Sequence, residues 1–112
     1  MQRGEIWYAA WPTDPNATIR PVLIVSNNLR NSAPRLLDIV AVKLTSLYRD
    51  DKSKKATNPA EDVIVRFKKD TIIRCGAVYS LEKSLLKNRV MQLSSDTMKE
   101  VDEKLKHVLD LN

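Results

Sequence analysis

Arg20, Thr45, Ser46 and Arg74 are the side chains of this 112-residue sequence whose types and positions suit a chemistry. Arg20 stands directly before Pro21 and the apolar run VLIV at 22–25, and Thr45 and Ser46 close the run VAVKLTS at 40–46. Arg74 interrupts an apolar stretch, between Ile73 and Cys75. Each falls where a strand is expected to begin, end or turn outward. A guanidinium in such a place is costly unless it faces water or meets an anion. Guanidinium forks bond phosphate oxygens in pairs, and hydroxyls add shorter bonds, so the set suits a phosphodiester. The same groups can stabilise charge that builds up on phosphorus in a transition state. A plainer use, in which each arginine caps a strand or pairs with a local carboxylate, is the more ordinary one for these residue types and stays open here.

Other chemistries find less support. Zinc sites draw on several Cys or His ligands, and the chain has one of each, Cys75 and His107. His107 falls opposite the apolar stripe of a C-terminal helical pattern and is expected in water, which leaves a Ser-His-Asp triad nothing to build on. With only Gly4 and Gly76, there is no glycine-rich phosphate loop. The residues imply no metal and no cofactor.

The elements that must position these side chains read as short strands and one helix. GEIWYAAW at 4–11 is a first strand, and PTDPNAT at 12–18 a loop with an Asp-Pro turn signal. RPVLIVS at 20–26 is a second strand, with Pro21 suited to its first positions because it lacks an N–H. Residues 27–35 are irregular or one helical turn, and LLDIVAVKLTS at 36–46 is a third strand buried on both faces. DVIVRF and TIIRCGAVYSL, joined by KKD, form a hairpin in which Ile72, Arg74 and Gly76 share one face. After a polar segment with room for a helical turn, RVMQLS at 89–94 is another strand.

Met98, Val101, Leu105, Val108 and Leu109 recur at helical spacing, with Ser94, Ser95 or Thr97 as candidate caps. YRDDKSKKATNPA at 48–60 has too few apolar side chains to order itself and is expected to be a mobile loop. The sum is mainly β with some α: one domain over 1–112, a small antiparallel barrel or curled sheet with a C-terminal helix.

Nineteen Lys and Arg against fourteen Asp and Glu give a formal net charge of +5, which concentrates anionic partners such as RNA or an acidic protein. The apolar runs fall short of the ~20 residues a membrane span needs. MQRGEIW lacks the layout of a signal peptide, and a single cysteine fits a reducing compartment, so a cytoplasmic location is expected.

RGEIW at 3–7, RPVLIVS at 20–26, VAVKLTS at 40–46, IIRC at 72–75 and the terminal MKEVDEKLKHVLDL stand in an order and spacing that resemble the MazF/PemK/Kid toxins of toxin–antitoxin systems. The resemblance covers nearly the whole chain. It implies a small SH3-like β-barrel working as a homodimer, and an acidic antitoxin that lies across the site. It also implies metal-independent cleavage of single-stranded RNA at short sequences, by 2′-hydroxyl attack, leaving a 2′,3′-cyclic phosphate and a 5′-hydroxyl. Position by position, Arg20 matches the family's catalytic arginine, Thr45 the hydroxyl ending the third strand, and Ser46 its neighbour. Arg74 matches a general acid or phosphate ligand.

The chain departs from that pattern after its Arg-Cys pair, where Kid-like members carry Asp as general base and this sequence has Gly76. Glycine cannot accept a proton. Asp14, the one carboxylate of the 12–18 loop, is the substitute candidate, with an ordinary Asp-Pro turn as the other use of it. Lys43, Arg49, Lys52, Lys54 and Lys55 surround the charged loop and are candidates to track a phosphate backbone. Tyr48, Tyr79 or Trp11 are candidates to stack an unpaired base, against core or dimer packing as their alternative use. Three readings follow: an active endoribonuclease; a weakened relative that binds RNA or an antitoxin without efficient cutting; and a poison of DNA gyrase resembling CcdB, which shares the barrel. The strand and helix matches favour the first two.

Overall fold

The apolar and β-branched runs become the strands of one sheet. A computed structural model, describing residues 1–111, has β1 at Glu5–Ala10, β2 at Ile19–Ile24, β3 at Asp38–Ser46, β4 at Asp62–Phe67, β5 at Lys69–Glu82 and β6 at Leu86–Gln92. Two helices, α1 at Asn28–Ser32 and α2 at Ser95–Leu109, complete it, with a 3-10 turn at Lys83–Leu85. The strands lie in the order β4-β5-β3-β2-β1-β6, every neighbouring pair antiparallel. The sheet curls into a half-barrel. Its curl brings the tip of the β4–β5 hairpin back to β1, where the rings of Tyr8 and Phe67 lie 6.3 Å apart and Lys68 Nζ donates to the Tyr8 hydroxyl at 3.0 Å.

Two apolar clusters hold the curl, one on each face of the central strands. Ile6, Leu23, Val42, Leu44, Ile73 and Cys75 pack beneath Met98 and Val101 of α2. Val101 is wholly buried, and burying a side chain of its size is worth roughly 1.5–3 kcal/mol. Ala9, Val22, Ile24, Ile39, Ala41 and Leu81 form the other cluster, with Trp7 and Trp11 against it. The third strand is therefore buried on both faces along much of its length, but Leu36 and Leu37, expected at its start, lie before it and are exposed. The helix stripe is less complete, since Leu109 is exposed. Ser94 is the cap, its hydroxyl accepting from the Thr97 N–H at 3.2 Å.

The RGEIW stretch works as a latch. Arg3 Nη2 donates to Asp102 of α2 at 2.6 Å and its Nε to the Val25 carbonyl at 2.8 Å, which ties the helix to the sheet. Gly4 takes φ +89°, and a Cβ there would run into the Gln92 side chain. The Glu5 carboxylate accepts from the Gln2 N–H, the Trp7 indole and Arg89 on β6. Burial pushes the Glu5 carboxyl up, and these hydrogen bonds together outweigh it and hold it below the ordinary range. Beyond β2, Ser26 and Asn31 are buried and bonded to each other, with Ser26 Oγ also accepting from the Val40 N–H.

The charged 48–60 segment differs from the expectation of a mobile loop. The Arg49 N–H donates to the Ser53 carbonyl at 2.8 Å, the Lys55 N–H to Leu47 at 2.8 Å, and Tyr48 bridges Lys54. Asp51 caps the turn through the N–H and hydroxyl of Ser53. Composition counts apolar surface, and this turn is held by backbone and side-chain hydrogen bonds instead.

Candidate functional site

Strand alternation selects which side chains can meet. Arg20 lies on the face of β2 that carries Val22 and Ile24, while Lys43 and Thr45 continue the face of β3 that carries Ile39 and Ala41. Where those apolar rows end, the same face turns polar and opens a cavity of about 810 Å³. Arg20, Lys43, Thr45 and Ser46 line it, with Asp14 from the loop after β1 and Lys55 from the turn after β3. The hairpin tip adds Lys68, Lys69 and Phe67, and Tyr8 and Trp11 close the apolar side. Five cationic side chains thus face one carboxylate, that of Asp14. Such a concave basic surface attracts an anion of several charges.

Arg20 is free to receive one. Its side chain is 47% exposed, and its nearest acidic oxygen, Asp14 Oδ2, stands 4.0 Å away. Asp14 organises its own loop, accepting from the Asn16 N–H at 2.9 Å. The Thr18 hydroxyl and that N–H lower its carboxyl below the ordinary range, and the charge of Arg20 adds to the effect. The Asp-Pro turn and a place in the cavity therefore coexist. Thr45 Oγ1 accepts a hydrogen bond of 2.8 Å from Lys55 Nζ. An ammonium can only donate, so the hydroxyl hydrogen of Thr45 is left to point at another acceptor. Burial lowers the Lys55 ammonium from its ordinary value, and the charges of Arg49, Arg74, Lys43 and Lys69 add to it.

Arg74 stands apart from this group. It lies opposite Lys43 on β3 and Asp62 on β4, and its Nη1 donates to Asp62 Oδ2 at 2.7 Å and to the Ala56 carbonyl at 3.3 Å. The Asp62 side chain is only 5% exposed, so the pair is half sunk in protein, and Arg74 is not among the cavity's lining residues. The sequence offers this arginine a phosphate or a carboxylate, and the fold supplies the carboxylate.

Just past it, β5 shifts register: Val42 pairs with Val78 but Lys43 with Arg74, so Cys75, Gly76 and Ala77 bulge from the ladder. A Cβ at Gly76 would collide with the Glu61 carboxylate. Burial pushes the Cys75 thiol up to about 11, with the negative charge of Asp62 adding to it.

Of the nucleic-acid candidates, Lys43 and Ser46 line the cavity, with Lys43 Nζ 5.8 Å from the centre of the Trp11 ring. Tyr48 and Arg49 line a neighbouring hollow that shares Ser46 and Lys69 with the first. Tyr79 sits behind the wall, edge-on to Trp11 at 4.8 Å. Lys68, Lys69 and Thr71 join the site from the β4–β5 hairpin, where the sequence marks KKD only as a connection. The basic doublet at its tip was the available signal, but only the curl of the sheet brings it to Arg20. His107 is exposed on α2, far down the chain from these groups.

A curled antiparallel half-barrel with a cationic, hydroxyl-bearing cleft at its strand ends defines the class. The chain belongs to the PemK-like, MazF-like toxins of type II toxin–antitoxin systems, whose family profile matches residues 2–109. It is 31% identical over 118 residues to endoribonuclease MazF2 of Mycobacterium bovis, covering 99% of this chain and 98% of that protein. Endoribonuclease MazF6 of Mycobacterium tuberculosis matches to the same extent. Among solved structures, a mycobacterial endoribonuclease in complex with its cognate antitoxin superposes with a TM-score of 0.77 at 25% identity, over 100% of this chain and 97% of that one. The MazE–MazF structure from Deinococcus radiodurans shares the fold, with a TM-score of 0.77 at 17% identity over 100% and 98% of the two chains.

Proposed function

We propose that this protein is the toxin of a toxin–antitoxin pair and cleaves single-stranded RNA at short sequences without a metal ion. Attack of a 2′-hydroxyl on the adjacent phosphate gives a 2′,3′-cyclic phosphate and a 5′-hydroxyl. The observation that carries this reading is the meeting of Arg20 and Thr45 in one cavity of net positive charge. Arg20 binds the non-bridging oxygens of the scissile phosphate through its fork, and the Thr45 hydroxyl donates to one of them. As negative charge grows on those oxygens, both bonds strengthen, which lowers the barrier. Asp14, the single carboxylate of the lining, takes the 2′-hydroxyl proton. Its basicity is low, so the surrounding cations must acidify that hydroxyl. Lys43 and Ser46 hold the flanking backbone, Tyr48 and Arg49 continue the groove, and Tyr79 braces Trp11, on which a base can stack. Arg74, held by Asp62, fixes the β4–β5 hairpin rather than touching the phosphate.

The same positive cleft suits an acidic antitoxin segment, whose carboxylates compete with phosphates for Arg20. A relative solved with its cognate antitoxin supports that partner, and a homodimer in the cytoplasm completes the reading.

The test is cleavage of a long single-stranded RNA in EDTA, with the new 5′ ends mapped. Cutting at one short motif, lost in Arg20→Ala and Thr45→Ala, is the expected outcome. Tight RNA binding without new ends would overturn the enzyme reading and leave a binding protein.

A further inference from the structure

Cleavage by this route leaves one task unassigned. The P–O5′ bond breaks with its electron pair on the 5′-oxygen, and an alkoxide departs poorly unless a proton reaches it. The lining offers few donors. Arg20 does not release its proton in proteins. Asp14 is ionised. Lys68 is directed to the Tyr8 hydroxyl, Lys43 lies against the Trp11 ring, and Lys69 lines the cavity from the hairpin tip, whereas the ammonium bonded to Thr45 is that of Lys55.

We propose that Lys55 is the general acid of the reaction, protonating the departing 5′-oxygen. This rests on the nuclease reading above. Its Nζ stands 2.8 Å from Thr45 Oγ1, the hydroxyl assigned to the phosphate, so it lies one hydrogen bond from the reacting group. Thr45 engages one of its three N–H bonds, leaving two for the cavity that Lys55 lines. Among the described residues no carboxylate pairs with it. Its backbone N–H donates to the Leu47 carbonyl, just past the end of β3, which sets the root of the side chain near Thr45.

Its neighbours favour release of the proton. Burial acts most strongly in that sense, and Arg49 from the turn, Arg74 and Lys69 from β5 and Lys43 from β3 add like charge around the ammonium. In the balanced step, the 2′-oxygen bonds to phosphorus as its proton passes to Asp14. The P–O5′ bond breaks, and O5′ takes a proton from Lys55, which is left as the neutral amine. Exchange with water restores both groups.

A change of leaving group tests this. Two oligonucleotides carry the motif mapped above with a single scissile ribonucleotide, one linked through 5′-oxygen and one through 5′-sulfur, which departs without a proton. Lys55→Met is expected to cut the oxygen-linked substrate about 10²–10⁴-fold more slowly than wild type, and the sulfur-linked one at close to the wild-type rate. Lys55→Arg restores the charge but not the acid, so it follows Lys55→Met on the oxygen-linked substrate; it carries the test alone if thermal unfolding shows Lys55→Met misfolded. Equal slowing of both substrates, or full activity of Lys55→Arg on the oxygen-linked one, overturns the proposal and leaves the nuclease reading standing. A wild-type protein inert on every RNA removes both.

Discussion

The two arginines that look alike in the sequence should fail in opposite ways when removed. Arg74→Ala leaves the Asp62 carboxylate, 5% exposed, without its guanidinium. Stripping one partner from a fully buried pair costs ~3–5 kcal/mol. The 29% exposure of Arg74 admits water and brings the expected loss down to ~2 kcal/mol. For a domain of this size that is a fall in Tm of about 8 °C. Arg20→Ala removes a side chain that is 47% exposed and 4.0 Å from its acid, a contact that water screens, so Tm should hardly move. Its kcat/KM on RNA should drop about 10²–10³-fold, the usual toll for one preorganised donor to a developing anion. The pair of measurements is thermal unfolding by circular dichroism and cleavage of a fluorescent RNA carrying the mapped motif, run at a temperature where both variants are folded. Arg74→Ala should keep most of its activity there. If instead Arg74→Ala kept its Tm and lost cleavage, the ion pair with Asp62 would not be the structural fixture described, and Arg74 would belong to the chemistry.

Thr45→Val preserves shape while removing both the acceptor for Lys55 and the donor to phosphate; RNA cleavage should fall ~10²-fold, with unfolding in urea shifted by no more than about 1 kcal/mol. Cys75, buried and with its thiol raised to about 11, should resist iodoacetamide at pH 8 in the native protein and react fully in denaturant, as mass spectrometry reads directly. Glu5 has its carboxyl held below the ordinary 4.5 when folded, so its contribution is present above that pH and lost as pH falls through the lower folded value. The Tm gap between wild type and Glu5→Gln should therefore be open at pH 7 and close on acidification below 4.5. A gap that widened in acid would mean the hydrogen bonds to Glu5 do not outweigh its burial.

Much of the frame was legible because apolar runs and strand ends are local facts. RPVLIVS and VAVKLTS announce two neighbouring buried strands, and Arg20 and Thr45 sit at ends that antiparallel pairing places side by side. Arg74 was not legible in the same way. Its partner lies twelve residues back, across a hairpin, and only register makes Asp62 its neighbour. The 48–60 turn was misread because hydrogen-bonding capacity leaves no trace in hydropathy. Lys55 illustrates the loss: one charge among many in a polar run, it reaches Thr45 from a turn bonded back to Leu47, a fold that no pattern of residue types reports. Lys68 and Lys69 needed the three-dimensional curl. Gly76 could be seen as a departure, but not that Glu61 occupies the room beside it.

The contact of Tyr8 with Phe67 and Lys68 has a wider bearing than its small area suggests. It is the clasp by which a bent sheet becomes a trough, with β2 and β3 as one bank and the hairpin tip as the other. The width of the trough is thus a matter of curvature. Uncoiling the sheet would carry Lys68 and Lys69 away from Arg20 and scatter the positive field, so the grip on an anion depends on the bend as well as on the strands.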